Sequence, residues 1–398
     1  MLHIRSLKMF LPAIVVGTFV VTAVGVSAAA EMGVTNDTIL IGALAPLTGV
    51  MTTSGMPARD GAQTYFDMIN DAGGINGRKL KVIWEDDGCA PAKGIAAVKK
   101  LIERDQVFAL FGGVCSNALL AALPTIEKEK ILWFTANVSA PRVTSPVQPL
   151  LFRAGWNPAD LQARTLAQAA VDYFKGKRLA VLHMSDEYGG YYKDNIKKYL
   201  DEKKIQPVAV EASNPGDVDF TSQLTRLKDA NPDVVMLAMW IQDAAIMIKQ
   251  SKKMAFNPIW IGAGPTGEET FTVMAGEAAV GTYHLWPFKY LLTDTQNPMV
   301  ATFREEFKKR IGEKPGRPGG GDLINYNGAM VFVEGLKRAG KNLTRANLAK
   351  AFESIKNFDT LLATPVSFSE KEHHGNYGIN FVKIEPNGRS LLDLNVKK

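Results

Sequence analysis

The stretch VFALFGGVCSNALLAALPTIEKEKILWFTANVSAP, residues 107–141, decides the fold. It contains an apolar strand at Phe108–Phe111, a helix from Ser116 to Lys128 and a second apolar strand at Ile131–Phe134. Two strands joined by a helix make a β-α-β unit, in which the strands run parallel in one sheet. The stretch therefore predicts an α/β protein with a parallel sheet.

A small hydroxyl residue follows each of these two strands, Ser116 after the first and Ser139 after the second. Ligands of open α/β sheets bind beyond the carboxyl ends of the strands. A hydroxyl group and the free N–H groups beside it can hold a small anion without a metal or a cationic side chain. The two turns together predict a clamp for a carboxylate. The alternative is that both serines only cap helices.

The alternation of strand and helix continues on both sides of this unit, which predicts two similar α/β halves with doubly wound, mainly parallel sheets. The segment Leu151–Pro158 is interpreted as a crossing between the halves, and the glycine-rich stretch 315–321 as an exposed loop. The other strands are expected at Thr38–Pro46, Leu80–Glu85, Arg178–His183, Gln206–Glu211, Val234–Met239, Ile259–Ile261, Val280–Leu285, Val366–Phe368 and Asn380–Ile384. The other helices are expected at Ala58–Asn70, Pro91–Arg104, Leu166–Phe174, Tyr191–Lys203, Phe220–Ala230, Ala244–Met254, Met299–Ile311 and Ile324–Lys337.

The N-terminus has the pattern of a secretion signal. Arg5 and Lys8 precede an uncharged, mostly apolar stretch from Met9 to Val26, and the small residues 26–30 form a cleavage region. We expect residues 1–30 to be removed and the protein to be exported to the periplasm. The alternative is an uncleaved membrane anchor, which needs roughly 20 apolar residues.

Length and charge limit the possible partners. The chain has 398 residues, and the part after residue 30 is long enough for two domains. The formal net charge of +6 falls to +4 without Arg5 and Lys8, and the remaining lysines alternate with acids. No basic stripe with interleaved aromatic residues is present, so we expect no binding to nucleic acid.

Cys89 and Cys115 are the only cysteines, and both lie in the mature part. An even pair in an exported protein indicates a disulfide bond. Two buried free thiols are the alternative.

Six segments spread over nearly the whole mature region carry a family resemblance: ILIGALAPLTG (39–49), DAGGINGRKL (71–80), EDDGCAP (85–91), GGVCS (112–116), DEYG (186–189) and DFTSQLTRLK (219–228). In this order and spacing they make the chain similar to the periplasmic substrate-binding proteins of ABC importers for branched-chain amino acids. The resemblance implies a two-lobed type I fold with three hinge crossovers, and a shared bridge between Cys89 and Cys115. It places lobe 1 at 36–157 and 287–364, and lobe 2 at 158–286 and 365–398.

The resemblance also implies a set of ligand contacts. Ser116, Asn137 and Ser139 match the residues that hold the ligand carboxylate in the family. From the second lobe, Tyr188 matches the aromatic residue that closes over the ligand, and Trp240 matches a second tyrosine. Ser54 matches a position beside the side-chain pocket, and Gly264 stands at the place of the acid that pairs with the ligand ammonium.

Gly264 differs from the acid that the family has at this position, and this difference affects which ligand is expected. A buried ammonium group without an anion is costly, and neither Glu268 nor Asp243 stands at the matched position. We therefore expect a carboxylate with an apolar or aromatic body, for which Tyr188 and Trp240 offer flat faces. An aliphatic acid or a hydrophobic amino acid stays within the expected class.

Function then follows from the resemblance: a monomeric, non-enzymatic binding protein that delivers its ligand to a membrane permease. A ligand-sensing subunit is an alternative. GAGPTG (262–267) matches a dinucleotide-binding motif, but no acid follows the next strand, so an NAD-dependent enzyme is the weaker alternative.

Adjacent His373 and His374 lack spaced acid or cysteine ligands, and we expect an exposed turn there rather than a metal site. No cofactor is expected.

Overall fold

The computed structural model describes residues 1–2 and 31–392. The proposed signal peptide, residues 1–30, therefore lies almost wholly outside the described residues, as does the end of the second predicted lobe, residues 393–398. Among the helices described, none is long and apolar enough to cross a membrane.

Five parallel strands form the first sheet, in the order β2-β1-β3-β4-β5. The opening stretch supplies its middle, because β3 and β4 are direct neighbours. Leu151–Arg153, expected to be part of the crossing, instead forms the edge strand β5. The bounds are β1 (Thr38–Ala45), β2 (Lys79–Asp86), β3 (Ala109–Gly112), β4 (Leu132–Thr135) and β5 (Leu151–Arg153).

Seven strands form the second sheet, in the order β12-β11-β10-β9-β8-β6-β7. The first five of its strands in chain order pair in parallel, whereas the last two add an antiparallel edge. The bounds are β6 (Leu179–Met184), β7 (Ala209–Ser213), β8 (Val234–Ala238), β9 (Ile259–Gly262), β10 (Tyr283–Trp286), β11 (Asn380–Glu385) and β12 (Gly388–Leu392).

Helices cover the sheets, and two of them continue as short π-helical turns, α2 to Arg104 and α4 to Tyr173. The apolar strands β6 and β8 are buried along their whole length because both faces of the sheet are covered. The bounds are α1 (Thr52–Asp71), α2 (Pro91–Lys99), α3 (Ser116–Lys128), α4 (Ala159–Gln168), α5 (Glu187–Glu202), α6 (Thr221–Ala230), α7 (Ile241–Lys253), α8 (Glu269–Ala275), α9 (Pro298–Arg310), α10 (Gly320–Ala339) and α11 (Arg345–Glu353).

Aromatic side chains hold α10 against the first sheet. Phe111 of β3 and Phe134 of β4 stack with ring centroids 6.0 Å apart, and Phe332 of α10 lies 5.5 and 5.9 Å from them. Each of these fully buried rings contributes about 1.5–3 kcal/mol by removal from water. This packing holds α10 against β3 and β4, the two strands of the opening stretch.

Segments that join the two sheets lie side by side. The Arg153 N–H donates to the His373 carbonyl at 2.9 Å, and the Gly375 N–H donates to the Arg153 carbonyl at 2.7 Å. Gly155 and Asn376 exchange two further bonds, of 2.9 and 3.0 Å. The chain crosses between sheets after β5, after β10 and before β11, as the predicted three crossovers require. The predicted lobe boundaries remain a prediction.

Three further local expectations are wrong. The pair His373 and His374 does not form an exposed turn, because each residue is only 1% exposed. The stretch 315–321 is exposed only at its start, since α10 begins at Gly320 and packs against other elements. The region Val366–Phe368 forms a single β-bridge rather than a strand.

Candidate functional site

A small cavity lies where the carboxyl ends of strands from both sheets face each other. Its volume is about 30 Å³, less than the roughly 150 Å³ of a cavity that takes up benzene. It is lined by residues of the turns after β3, β4, β5, β8 and β9 and of the N-terminal parts of α1, α4, α5 and α10. The lining residues are Ser54, Val114, Asn137, Ser139, Trp156, Gln162, Tyr188, Trp240, Pro265, Glu268 and Gly321.

Two aromatic rings form one wall of this cavity. Tyr188 and Trp240 stack with ring centroids 4.3 Å apart and 25° between the ring planes. The Trp240 Nε1–H donates to Asp186 Oδ2 at 2.9 Å, while Oδ1 of the same carboxylate accepts from the Gly189 N–H and caps α5. Asp186 therefore links the turns after β6 and β8, and this link fixes the orientation of the indole.

The Tyr188 hydroxyl is buried without a hydrogen-bond partner in the described part of the chain. Burial raises the pKa of this phenol above its ordinary value, so the group is neutral. An unpaired buried hydroxyl costs about 1–3 kcal/mol. A ligand atom that bonded to this oxygen would recover that cost.

The two serines of the opening stretch are not helix caps. Ser116 is the first residue of α3, where the preceding Cys115 makes no side-chain capping bond. The short helix after Ser139 runs over Pro141–Val143, and its N-cap residue is Ala140, again without a side-chain capping bond. Ser139 lines the cavity, whereas Ser116 is buried but is not among the lining residues.

Asn137 connects the turn after β4 to α10. Its Nδ2–H donates to Asn325 Oδ1 at 2.7 Å. Thr135 Oγ1 accepts from the backbone N–H groups of Asn137 and Val138 at 3.3 and 3.2 Å, which holds the turn that presents Ser139.

Gly264 does not line the cavity, because the Trp156 ring covers it. A Cβ atom built at Gly264 would lie 2.5 Å from Cζ3 of this ring, closer than packed carbon atoms approach. Trp156 is 6% exposed and itself lines the cavity. The indole therefore takes the space into which a side chain at position 264 would extend.

Of the two acids considered as substitutes, only Glu268 lines the cavity. Burial, and then the nearby charges of Glu269 and Asp322, raise the pKa of Glu268 well above its ordinary value. Asp243 is engaged elsewhere, since its Oδ1 accepts from the Gly216 N–H at 2.7 Å.

The two cysteines form the disulfide bond Cys89–Cys115. This bond excludes the alternative of two free thiols. It ties the turn before α2 to the residue that precedes Ser116 and so restrains the start of α3.

Comparison with known proteins decides the family. The model of the family described as "Periplasmic binding protein" matches residues 38–389. The chain belongs to the periplasmic binding protein family. A leucine-, isoleucine-, valine-, threonine- and alanine-binding protein of Pseudomonas aeruginosa is 28% identical over 354 residues, which cover 85% of this chain and 92% of the relative.

Solved structures share the fold of this periplasmic binding protein. The branched-chain amino acid transporter substrate-binding protein of Streptococcus pneumoniae, in complex with isoleucine, has a TM-score of 0.78 at 21% identity and covers 89% of this chain and 99% of its own. A solute-binding protein from R. palustris in complex with benzoate has a TM-score of 0.78 at 20% identity and covers 89% of this chain and 95% of its own.

The structure of this periplasmic binding protein brings some of the predicted ligand contacts together, and their role in binding remains a prediction. The cavity brings together Ser54, Asn137, Ser139, Tyr188 and Trp240, five of the seven predicted ligand contacts, and leaves out Ser116 and Gly264. It adds Trp156, in the first crossing, and Gln162, in α4, neither of which is predicted from the sequence. The cavity also adds Glu268. The sequence indicates this acid indirectly, because Gly264 stands where the family has an acid and Glu268 is close to it in the chain.

Proposed function

We propose that this chain is the substrate-binding component of an ABC importer of the branched-chain amino acid type. It captures a small amphipathic carboxylate between its two halves and delivers it to membrane permease subunits. It acts in the periplasm as a monomer and performs no catalysis. The relative named above is an amino-acid-binding protein, and the two solved structures hold isoleucine and benzoate, which supports this ligand class.

One observation carries the proposal: a single cavity is lined by the polar turn at Asn137 and Ser139 and by the stacked rings of Tyr188 and Trp240. The hydroxyl of Ser139 can donate to an anionic group, and charge-assisted bonds of this kind are the strong ones. The aromatic faces favour an apolar body on the same ligand.

The neighbourhood of Gly264 favours a plain carboxylic acid over an α-amino acid. Trp156 fills the space beside this glycine with an apolar ring, so no anion meets an ammonium group there. Glu268, the acid that lines the cavity, has a raised pKa and resists ionisation. A buried ammonium group without an ionised partner would cost several kcal/mol.

Calorimetric titration with benzoate, 4-methylpentanoate, leucine and isoleucine tests the function and the ligand class together. We expect saturable binding of at least one plain acid, with a Kd in the micromolar range or below. A micromolar Kd corresponds to a binding free energy of about −8 kcal/mol. The matched control is benzyl alcohol, which has the ring without the carboxylate. Tight leucine binding with no response to the two plain acids would contradict the ligand class. No binding of any of the four carboxylates would contradict the function.

A further inference from the structure

Arg153 is a buried cation without an acidic partner at ion-pair distance in the described part of the chain. The residue is 0% exposed. Its Nη2–H donates to Thr144 Oγ1 at 2.7 Å, and its Nε–H donates to His374 Nδ1 at 3.1 Å. Both acceptors are neutral, because burial and the guanidinium itself lower the pKa of His374 well below its ordinary value.

The charge of Arg153 persists at neutral pH. Burial lowers the pKa of the guanidinium to about 10, and the acids Asp160 and Glu372 act on it only from a distance. Neutral hydrogen bonds satisfy the donors of a buried cation but do not balance its charge. The guanidinium therefore lies among neutral groups, and its nearest acids stay beyond ion-pair distance.

The remaining hydrogen bonds of Arg153 go to the turn that contains Ser139. Its Nη1–H groups donate to the carbonyl oxygens of Val138 at 3.1 Å and Ala140 at 2.9 Å, the residues on either side of Ser139. The carbonyl of Val138 and the N–H of Ser139 belong to one trans peptide unit and point in opposite directions. The guanidinium thus polarises the peptide whose N–H lies on the side away from it.

We propose that Arg153 is a positioning residue that makes the Ser139 turn selective for anions, and that the ligand carboxylate is its counter-charge. The proposal rests on the proposed function. Arg153 does not touch the ligand: it acts through the peptide unit between Val138 and Ser139. A carboxylate on the far side of that peptide lies about 7 Å from the guanidinium, which at an effective dielectric constant of ~20 favours it over a neutral isostere by roughly 10- to 100-fold.

Removing the positive charge of Arg153 tests this inference. The probes are benzoate against benzamide or, if leucine is the acid that binds, leucine against leucinamide. In Arg153→Met we expect the affinity for the carboxylate to fall roughly 10- to 100-fold, while the amide binds as in the wild type. Equal losses for carboxylate and amide would mean that Arg153 only braces the fold, and an unchanged preference would also overturn the proposal.

A second pair of variants keeps Arg153 in place. Thr144→Asp puts a carboxylate beside the guanidinium, whereas Thr144→Asn is its uncharged isostere. We expect the aspartate variant alone to lose carboxylate preference, by roughly tenfold. If both variants keep the wild-type preference, the counter-charge role is wrong. A wild type that binds no carboxylate contradicts the proposed function itself, and only then does this inference fail together with it.

Discussion

At the scale of single residues, we expect the proposed carboxylate clamp to depend on Ser139, which lines the cavity, more than on Ser116, which is buried and does not line it. Neither serine caps a helix, so replacing either one removes no helix-capping bond. The two residues can therefore be compared directly by mutation.

Ser139→Ala should weaken binding of the carboxylate found by titration by about 1.5–3 kcal/mol, the contribution of one hydrogen bond to a charged group. Calorimetry on this variant, on Ser116→Ala and on the double variant measures the effect, with thermal unfolding as the control for folding. A further loss in the double variant would indicate that both hydroxyls hold the ligand. Wild-type affinity in Ser139→Ala would contradict the clamp.

Glu268 predicts a pH dependence whose sign depends on the ligand. Its pKa is raised above the ordinary 4.5, so the side chain is neutral at low pH and ionises as pH rises. The resulting anion repels a plain carboxylate, and we expect affinity for benzoate to fall as pH rises through this pKa. Stability of the ligand-free protein also falls over this window, because the folded state binds the proton more tightly than the unfolded state does.

Titrations from about pH 5 to about pH 9 measure this effect, with Glu268→Gln as the matched control that cannot ionise. The glutamine variant should bind the plain acid with an affinity independent of pH over this range. Affinity that rises with pH in the wild type would point instead to an ammonium group that pairs with ionised Glu268.

At the scale of elements, the short turn Gly264–Gly267 packs against the Trp156 ring, and we expect the two together to set ligand specificity. The ring occupies the space that a side chain at 264 would need. Changing only one of the two would produce a clash or a cavity, so the informative change is the pair.

The double variant Gly264→Glu with Trp156→Ala restores an acid at this turn and the room to hold it. We expect leucine binding to improve relative to 4-methylpentanoate by at least tenfold, because the new carboxylate pairs with the ammonium group. Loss of the indole should lower the unfolding free energy by about 3–5 kcal/mol, and Trp156→Ala alone is the control. An unchanged ratio between the two ligands would show that the turn does not select for the ammonium group.

At the scale of the whole molecule, the two halves meet closely, and the cavity between them is smaller than the ligands proposed for it. The Tyr188–Trp240 stack occupies the space. Hydrogen bonds pair the connecting segments around Arg153 and Asn376, and we expect the halves to move apart about these segments. Ligand uptake then requires opening of the cleft, and closure follows.

Small-angle X-ray scattering can follow this movement. We expect the radius of gyration of the ligand-free protein to decrease when a saturating carboxylate is added, and the unfolding free energy to rise by about 2.7 kcal/mol at a ligand concentration 100 times Kd. Benzyl alcohol at the same concentration is the control. Identical scattering with and without a tightly bound ligand would contradict closure.

The sequence predicts the elements that local apolar patterns define better than those that depend on packing between distant segments. The order of strands and helices follows from runs of apolar residues, and those runs persist in β3, β4, β6 and β8. The late part of the chain was harder: α11 and β12 were not predicted, and Val366–Phe368 is only a bridge. Short elements bury little surface of their own, so their form depends on neighbours distant in sequence.

The sequence by itself determined the α/β class, the paired hydroxyl turns after adjacent strands, and a cysteine pair suited to a bridge. Only the tertiary structure decided that Trp156 covers Gly264, that Glu268 lines the cavity, and that Arg153 and His374 are buried together. The physical reason is the range of the interactions. Periodicity and turn chemistry act between near neighbours, whereas these contacts join residues more than 100 positions apart, and packing alone brings them together.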